Sequence, residues 1–287
     1  MNRRRFMVAL GVGALCALGV ERYLNNETMR KAPVREGKII ADLHAHPANY
    51  KSNEKTLEML CSHGLVGLSY WLGAKTILNY ELVCGRFSNL VSEIDRGMLA
   101  SIRSPGGDSY FARSQEIECG AHHVLAVGFE GDYLPNFNDA RKAVEAIHRR
   151  NGIAILNHPY ITPQNKFARY RFINSGEEEK VRELCQMVDE VEIFNAQCIN
   201  PTLGIMVPNM KKANALAEKL ALQYGHKGTV STDAHYRMEQ PKICGIYVEK
   251  EGFCIDKLKH DIASKRFDND YRRYVSRYSF AAGMFFR

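Results

Sequence analysis

Apolar positions along this chain fall into short strand-like runs that alternate with stretches of helical period. After a hydrophobic N-terminus, Gly37-Lys38-Ile39-Ile40-Ala41 reads as a buried strand that continues through Asp42-Leu43-His44-Ala45-His46 and stops at Pro47. Residues 52–62 have helical spacing, with Leu57 and Leu60 on one side, and residues 65–71 form an apolar strand. Residues 79–109 read as irregular and, with a Ser104-Pro105-Gly106-Gly107-Asp108 turn, as an excursion from the core. Strands follow over 110–118 and 124–129. Asn138 caps a helix over 139–150, whose inner stripe is Ala140, Val144 and Ile147 and whose C-terminal end carries Arg149 and Arg150. Gly152 ends it and residues 153–157 are strand. The unit recurs as helix 177–187 with strand 188–194, and as helix 210–224 with strand 228–232. Such alternation predicts an α/β fold with a parallel sheet, and at this length a closed barrel.

Composition fits that reading and sets its limits. With 287 residues, 45% hydrophobic and 25% charged, the chain is globular and long enough for one large domain, assigned to residues 37–265. Residues 266–287, rich in Arg, Tyr and Phe, read as a packed terminal element. The net charge is +7, but Arg3, Arg4 and Arg5 belong to the leader. The remaining excess suits an anionic substrate and does not indicate nucleic acid. The leader, residues 1–30, joins these arginines to an apolar run from Phe6 to Val20, too short to span a bilayer and right for a signal peptide. Arg-Arg-Arg-Phe-Met resembles a twin-arginine export signal, which predicts a periplasmic or extracellular protein. Ala17-Leu18-Gly19 is a passable cleavage site, and an uncleaved leader would be an N-terminal membrane anchor. The seven cysteines after the leader are widely spaced with no C-x-x-C pair, and read as small buried hydrophobes.

Chemistry enters at the strand ends. In an extended strand Asp42, His44 and His46 project to one face, so the two imidazoles form a two-point metal clamp. Glu116 and Glu118 lie on the third strand, His122 and His123 open the fourth, and His158 follows Asn157 at the end of the fifth. Glu192 and Asn195 lie on the sixth, and Asp233 and His235 end the last. Acids and imidazoles thus recur at strand ends, where strand–helix barrels build their sites. Neighbouring strand residues point oppositely, so only one of His122 and His123 can face inward.

Taken together, His44-Ala45-His46, Glu116, Asn157-His158-Pro159 and Asp233-Ala234-His235 resemble the motif series of the polymerase and histidinol phosphatase (PHP) superfamily. The resemblance covers most of residues 37–250. It implies a distorted (β/α)7 barrel, up to three divalent metals and phosphoesterase activity. Carried over by position, it places His44, His46, Glu116 and Asp233 on one metal, with Glu116 bridging to a second held by His158 and His123. His235 would serve a further ion or the substrate, and Asp233 and His235 stand at the reacting centre. Two departures weaken the third metal position. The loop after the first motif reads Ala48-Asn49-Tyr50-Lys51-Ser52-Asn53, where many members have an Asp or His, and Trp71-Leu72-Gly73 replaces Thr-Asp-His. Two ions are therefore expected rather than three.

Two divalent ions can bind a phosphate's oxygens and lower the pKa of a water between them, so the expected reaction is hydrolysis of a small phosphate ester by a metal-bound hydroxide. Mixed nitrogen and oxygen ligands without thiolate suit Zn, Mn or Fe. Lys166, Arg169 and Arg171 lie on a loop expected to overhang the site, and with Arg113 they are candidates to hold phosphate oxygens. Two alternatives remain open. An amidohydrolase-like barrel also begins with His-x-His, and a degenerate barrel would bind metal or an anion without catalysis.

Overall fold

The computed structural model describes residues 31–103, 109–165, 169–198, 211–235 and 241–274, with backbone alone at 163–165 and 169–170. The leader therefore lies outside the described residues, as do Lys166 and residues 275–287. The described chain begins with β1 (Lys38–Ala45), α1 (Asn53–Leu60), β2 (Gly64–Trp71) and α2 (Tyr80–Arg86). It continues through β3 (Val91–Asp95), β4 (Leu99–Ile102), β5 (Ser109–Cys119), β6 (His122–Val127) and α3 (Ala140–Arg149). β7 (Ile153–Asn157), β8 (Ile161–Asn165), β9 (Arg169–Phe172), α4 (Ser175–Leu184) and β10 (Glu190–Asn195) follow. The last elements are α5 (Lys211–Gln223), β11 (Thr229–Ser231), β12 (Ile246–Glu249) and α6 (Ile255–Ala263).

The main sheet runs in the order β11-β10-β7-β6-β5-β2-β1-β12. Its two ends are drawn together where Asp233 N–H donates to His44 O (2.8 Å) and His46 N–H donates to Ala234 O (2.9 Å), so the sheet is a nearly closed, distorted barrel. The helix–strand alternation predicts a parallel sheet, but the sheet is mixed. β1–β2, β2–β5, β7–β10 and β10–β11 are parallel, but β6 runs against both β5 and β7, and β12 against β1. The reason lies in the two residues, Gly120 and Ala121, that join β5 to β6. A connection this short can only make a hairpin, and Gly120 adopts the left-handed φ of 69° that the turn requires. The reversal has a functional consequence: the N-terminal end of β6, where His123 sits, lies beside the C-terminal ends of β5 and β7.

Residues 79–109 are more ordered than their sequence suggests. They hold α2, capped by Asn79, and a β3–β4 hairpin that joins the sheet through antiparallel pairing of β4 with β5. A seven-residue helix is too short for its period to register, and β3 is an edge strand with Ser92, Glu93 and Ile94 exposed. The cap of α3 is Asp139 rather than Asn138, its carboxylate accepting Arg141 N–H at 3.1 Å. The inner stripe of α3 includes Ala140, Val144 and Ile147 as expected, and Ala143 and Ala146 are also buried. β1 and β2 approach so closely that a Cβ on Gly67 would sit 2.1 Å from Leu43 O, which leaves glycine as the residue that fits. The start of the tail is packed: Phe267 is buried, Asp268 pairs with Tyr247 through the backbone, and Tyr274 stacks on Phe194 at 4.7 Å. The described cysteines are all free, and Cys119, Cys185, Cys198 and Cys244 are buried. No helix among the described residues is long and apolar enough to cross a membrane.

Candidate metal centre

One cluster at the strand ends gathers His44, His46, Glu116, His123, Asn157, His158, Glu192, Asn195, Asp233 and His235. Nε2 of His44 and Nε2 of His46 face each other at 3.2 Å. Oδ1 of Asp233 lies 3.4 Å from the first, 3.6 Å from the second and 3.1 Å from Nδ1 of His235. Glu116 stands at the middle. Its Oε2 is 3.1 Å from Nε2 of His46, while its Oε1 is 2.8 Å from Nδ1 of His123 and 3.2 Å from Nε2 of His158. The two oxygens of one carboxylate thus face different imidazoles, and Oε1 is also 3.5 Å from Nε2 of His44.

Behind these donors is a layer of supporting groups. Glu192 Oε1 lies 2.9 Å from Nδ1 of His44 and accepts the Ser231 hydroxyl, and its Oε2 accepts His158 N–H at 2.7 Å. Asn195 Nδ2 donates to Glu192 Oε2 (3.1 Å) and to Asp233 Oδ2 (2.9 Å). His158 and Asp233 both adopt left-handed backbone angles, φ 25° and 50°. Such conformations cost non-glycine residues on the order of 1–3 kcal/mol, and persist where the surroundings enforce them. Here the bonds from His158 N to Glu192 and from Asp233 N to His44 O do so.

Electrostatics follow from burial and close packing. Burial disfavours the charged form of His44, but Asp233, Glu192 and Glu116 overcome it and raise the imidazole well above its ordinary value. Burial likewise opposes ionisation of Glu116, yet the charges of His123 and His44 hold its carboxyl well below the usual range. Asp233 is lowered against the same penalty by His44 and His235. His235, whose side chain is 24% exposed, is raised to about 9 because Asp233 outweighs its burial. His46 goes the other way, lowered by burial and by the neighbouring charge of His235.

The donor set fits divalent cations. His44, His46 and Asp233 form one group, and His44, Glu116 and His158 another, each with ligand atoms within 4.8 Å of one another. Asp233 Oδ1 is buried without a hydrogen bond although three ring nitrogens surround it, as are Nε2 of His123 and Oδ1 of Asn157. Nitrogen lone pairs and carboxylate oxygens that converge with too few protons between them are satisfied by a cation.

The remaining expectations divide. His123 rather than His122 faces the cluster. His122 lies instead in a cleft with Asp139, Arg141, Glu177 and Lys180, and burial pushes its pKa down to about 4. Glu118 is turned to the rim, accepting from Trp71 Nε1 (2.9 Å) and Asn136 Nδ2 (3.3 Å). Arg113 does not reach the cluster. It stands an odd number of residues from Glu116 on β5 and so projects from the other face, where its guanidinium lies over Phe129 and Tyr133 and pairs with Glu81 at 3.1 Å. Arg171 is also engaged elsewhere, in a two-pronged pair with Glu177 at 2.6 and 2.5 Å. Arg169 lies in β9 with its side chain outside the described residues. The loop after His46 carries no Asp or His to serve as a ligand, and Arg86 holds it by donating to Asn49 Oδ1, Tyr50 O, Lys51 O and Asn53 Oδ1.

The supporting role of Glu192 and Asn195 and the place of Trp71 are not legible in the sequence. Glu192 and Asn195 stand out as polar residues on a buried strand, but their supporting role depends on which neighbours they meet. Trp71 pairs in register with Glu116, and its ring lies 6.3 Å from that of His46 and 6.4 Å from that of His235, forming a wall of the site.

No family model matches the chain, and no curated protein matches it. Among solved structures, PsfC from Pseudomonas syringae is similar at 14% identity and a TM-score of 0.52, over 87% of this chain and 98% of that one, which shows a shared fold. A two-domain protein from Bacteroides vulgatus containing a predicted PHP-like metal-dependent phosphoesterase is similar at 12% identity and TM-score 0.47, over 83% of this chain. A lesion-specific endonuclease from Pyrococcus furiosus is similar at 14% identity and TM-score 0.44, over 79%. The chain spans 66% and 56% of the lengths of these last two proteins.

Proposed function

We propose that the protein is a metal-dependent phosphoesterase that holds two divalent ions, Zn, Mn or Fe, at the barrel mouth and hydrolyses a small phosphorylated substrate. The observation that carries this reading is Glu116, one of whose oxygens faces His46 while the other faces His123 and His158. His44, His46 and Asp233 would hold one ion, His123 and His158 the other, and Glu116 would bridge them. A pair of ions supplies Lewis acidity to phosphoryl oxygens and a more acidic water at neutral pH. The motif resemblance to the PHP superfamily supports the same reaction class.

The chain's own residues contribute orientation and proton handling. Glu192 fixes the ring of His44 through Nδ1, which leaves Nε2 directed at Asp233 and Glu116. His235 sits at the mouth, its Nδ1 2.7 Å from Asp233 O, and would be placed to hand a proton to a departing alkoxide. Trp71 and the buried strand ends restrict water on the inner side. With Arg113 and Arg171 engaged elsewhere, phosphate charge would be met at the cluster by the ions, and Lys166 and Arg169 remain the candidates to hold its outer oxygens.

Export through the leader, to the periplasm or outside the cell, belongs to the same proposal and rests on the arginine-plus-apolar pattern of residues 3–20. The decisive measurement is release of phosphate or p-nitrophenol from p-nitrophenyl phosphate esters with Mn2+ or Zn2+ added. Activity that disappears with chelator and with His44→Ala is expected. Equal activity in metal-free protein overturns the proposal, and two bound ions with no hydrolysis of any phosphate ester replaces it with a binding role.

A further inference from the structure

Asp42 is fully buried two residues before His44 on β1, yet its carboxylate takes no part in the imidazole cluster. Its partners lie elsewhere. Oδ1 accepts Thr232 N–H at 3.0 Å, and Oδ2 accepts both the Thr232 hydroxyl at 2.5 Å and Lys242 N–H at 2.9 Å. Those two residues bracket the segment that carries Asp233 and His235. Between β1 and β11 there is no ladder pairing among the described residues. The N–H of Thr232, at the end of β11, is therefore met by a side chain where a continuous sheet would offer a carbonyl. Asp233 N–H to His44 O and His46 N–H to Ala234 O continue the same seam toward the cluster.

Lys242 strengthens the far end. It adopts a left-handed φ of 66°, is buried, and carries Nζ inward to Leu60 O (2.9 Å) and Ser62 O (2.8 Å) at the end of α1. Thr232 and Lys242 are thereby both tied to β1 through one carboxylate. Asp233 is the first residue beyond that anchor, and its left-handed backbone turns the carboxylate back toward His44 and His46.

We infer that Asp42 is a positioning residue: by clasping Thr232 and Lys242 it sets where Asp233 and His235 meet His44 and His46, and so governs one of the two ion positions and not the other. The inference rests on the two-ion reading above. The second position, at Glu116, His123 and His158, is built on β5, β6 and β7 and shares with the first only the bridging Glu116 and His44, whose Nε2 is 3.5 Å from Glu116 Oε1; none of these residues bonds to Asp42, Thr232 or Lys242. A carboxylate is suited to the task because its two oxygens can accept three donors from two residues at once, and buried donors left without an acceptor would be costly.

The test compares wild-type protein with Thr232→Val, Thr232→Ser and Asp42→Asn, each stripped of metal and titrated with Zn2+ and with Mn2+ against a competing chelator, alongside thermal melting of the metal-free forms. Thr232→Val keeps the shape of the residue and removes one of the three bonds. Wild-type protein is expected to bind two ions. Thr232→Val and Asp42→Asn should bind one ion as wild type does and the other at least about 10-fold more weakly, the scale on which supporting groups act at metal sites. Thr232→Ser, which restores the hydroxyl, should recover both. Equal weakening of both ions in step with a lowered melting temperature marks Asp42 as merely structural and overturns the inference. Unchanged affinity for both ions overturns it while leaving the two-ion reading intact. Wild-type protein that binds neither ion overturns both.

Discussion

Oε1 of Glu192 lies 2.9 Å from Nδ1 of His44, and the other oxygen of that carboxylate receives the backbone N–H of His158 at 2.7 Å. One acid from β10 therefore fixes both the ring of a residue on β1 and the turn after β7. Glu192→Gln keeps the size and removes the charge. It should weaken binding of the ion at His44 by about 10- to 100-fold, read by chelator competition.

Glu116 and Glu118 differ by two residues and should differ sharply in effect. Glu116→Gln removes a charge shared by two imidazole sets, and should lower affinity for both ions and cut hydrolysis by roughly 100-fold or more. Glu118→Gln should leave metal content unchanged, since Glu118 accepts from Trp71 and Asn136 at the rim. Elemental analysis of the two purified variants decides it.

Arg171 was a candidate for phosphate binding, but its guanidinium belongs to Glu177. Arg171→Ala should leave hydrolysis within about twofold and cost on the order of 0.5–1 kcal/mol, the range of a largely solvated pair. The pair also has a pH signature. The side-chain bond from Arg171 holds the Glu177 carboxyl at about 2, below its ordinary 4.5. Between those values the unfolded chain binds a proton that the folded one does not. The contribution is therefore fully present above pH 4.5 and lost as the pH falls toward 2. Acid unfolding of Arg171→Ala should lack that component.

Lys242 predicts a slope at the other end of the scale. Burial lowers its amine from 10.5 to about 7. Between pH 7 and 10.5 the unfolded chain holds a proton that the folded chain has released, so stability should rise with pH across that window. The neutral amine retains two N–H groups, which match its two carbonyl acceptors, Leu60 O and Ser62 O. Denaturant unfolding should show the rise in wild-type protein and its absence in Lys242→Met, which should also be less stable through loss of both bonds.

Trp71 is the single tryptophan of the chain, and its ring lies 6.3 Å from that of His46. Intrinsic tryptophan fluorescence should fall on titration with Co2+, a quenching ion, and recover with chelator. His46→Ala should abolish the change without altering the starting emission by more than a small fraction. A Co2+ titration that leaves the emission flat would place the ion away from His46.

The sequence carried much of this protein because strand side chains alternate with a period of two. That rule put His44 and His46 together, although the Asp42 carboxylate, expected beside them, turns to Thr232 and Lys242; strand ends placed Glu116, His158, Asp233 and His235, and the apolar stripe marked α3. It was not enough to choose between His122 and His123, because that choice depends on β6 pairing antiparallel with both β5 and β7. The same rule already sets Arg113 opposite Glu116 on the strand expected over 110–118, but it could not show that Arg171 is taken by Glu177. The leader's reading rests on sequence alone, since residues 1–30 lie outside those described.

Local pattern determines which side chains share a face, because that is set by backbone geometry within a few residues. The meeting of β1 with the end of β11 through Asp42 and Thr232, and the support that Glu192 and Asn195 give to other elements, join residues 34 to 190 positions apart. Only the closed sheet brings such residues within bonding distance, so only the tertiary structure decides which donors converge, which are held behind them, and which are spent elsewhere.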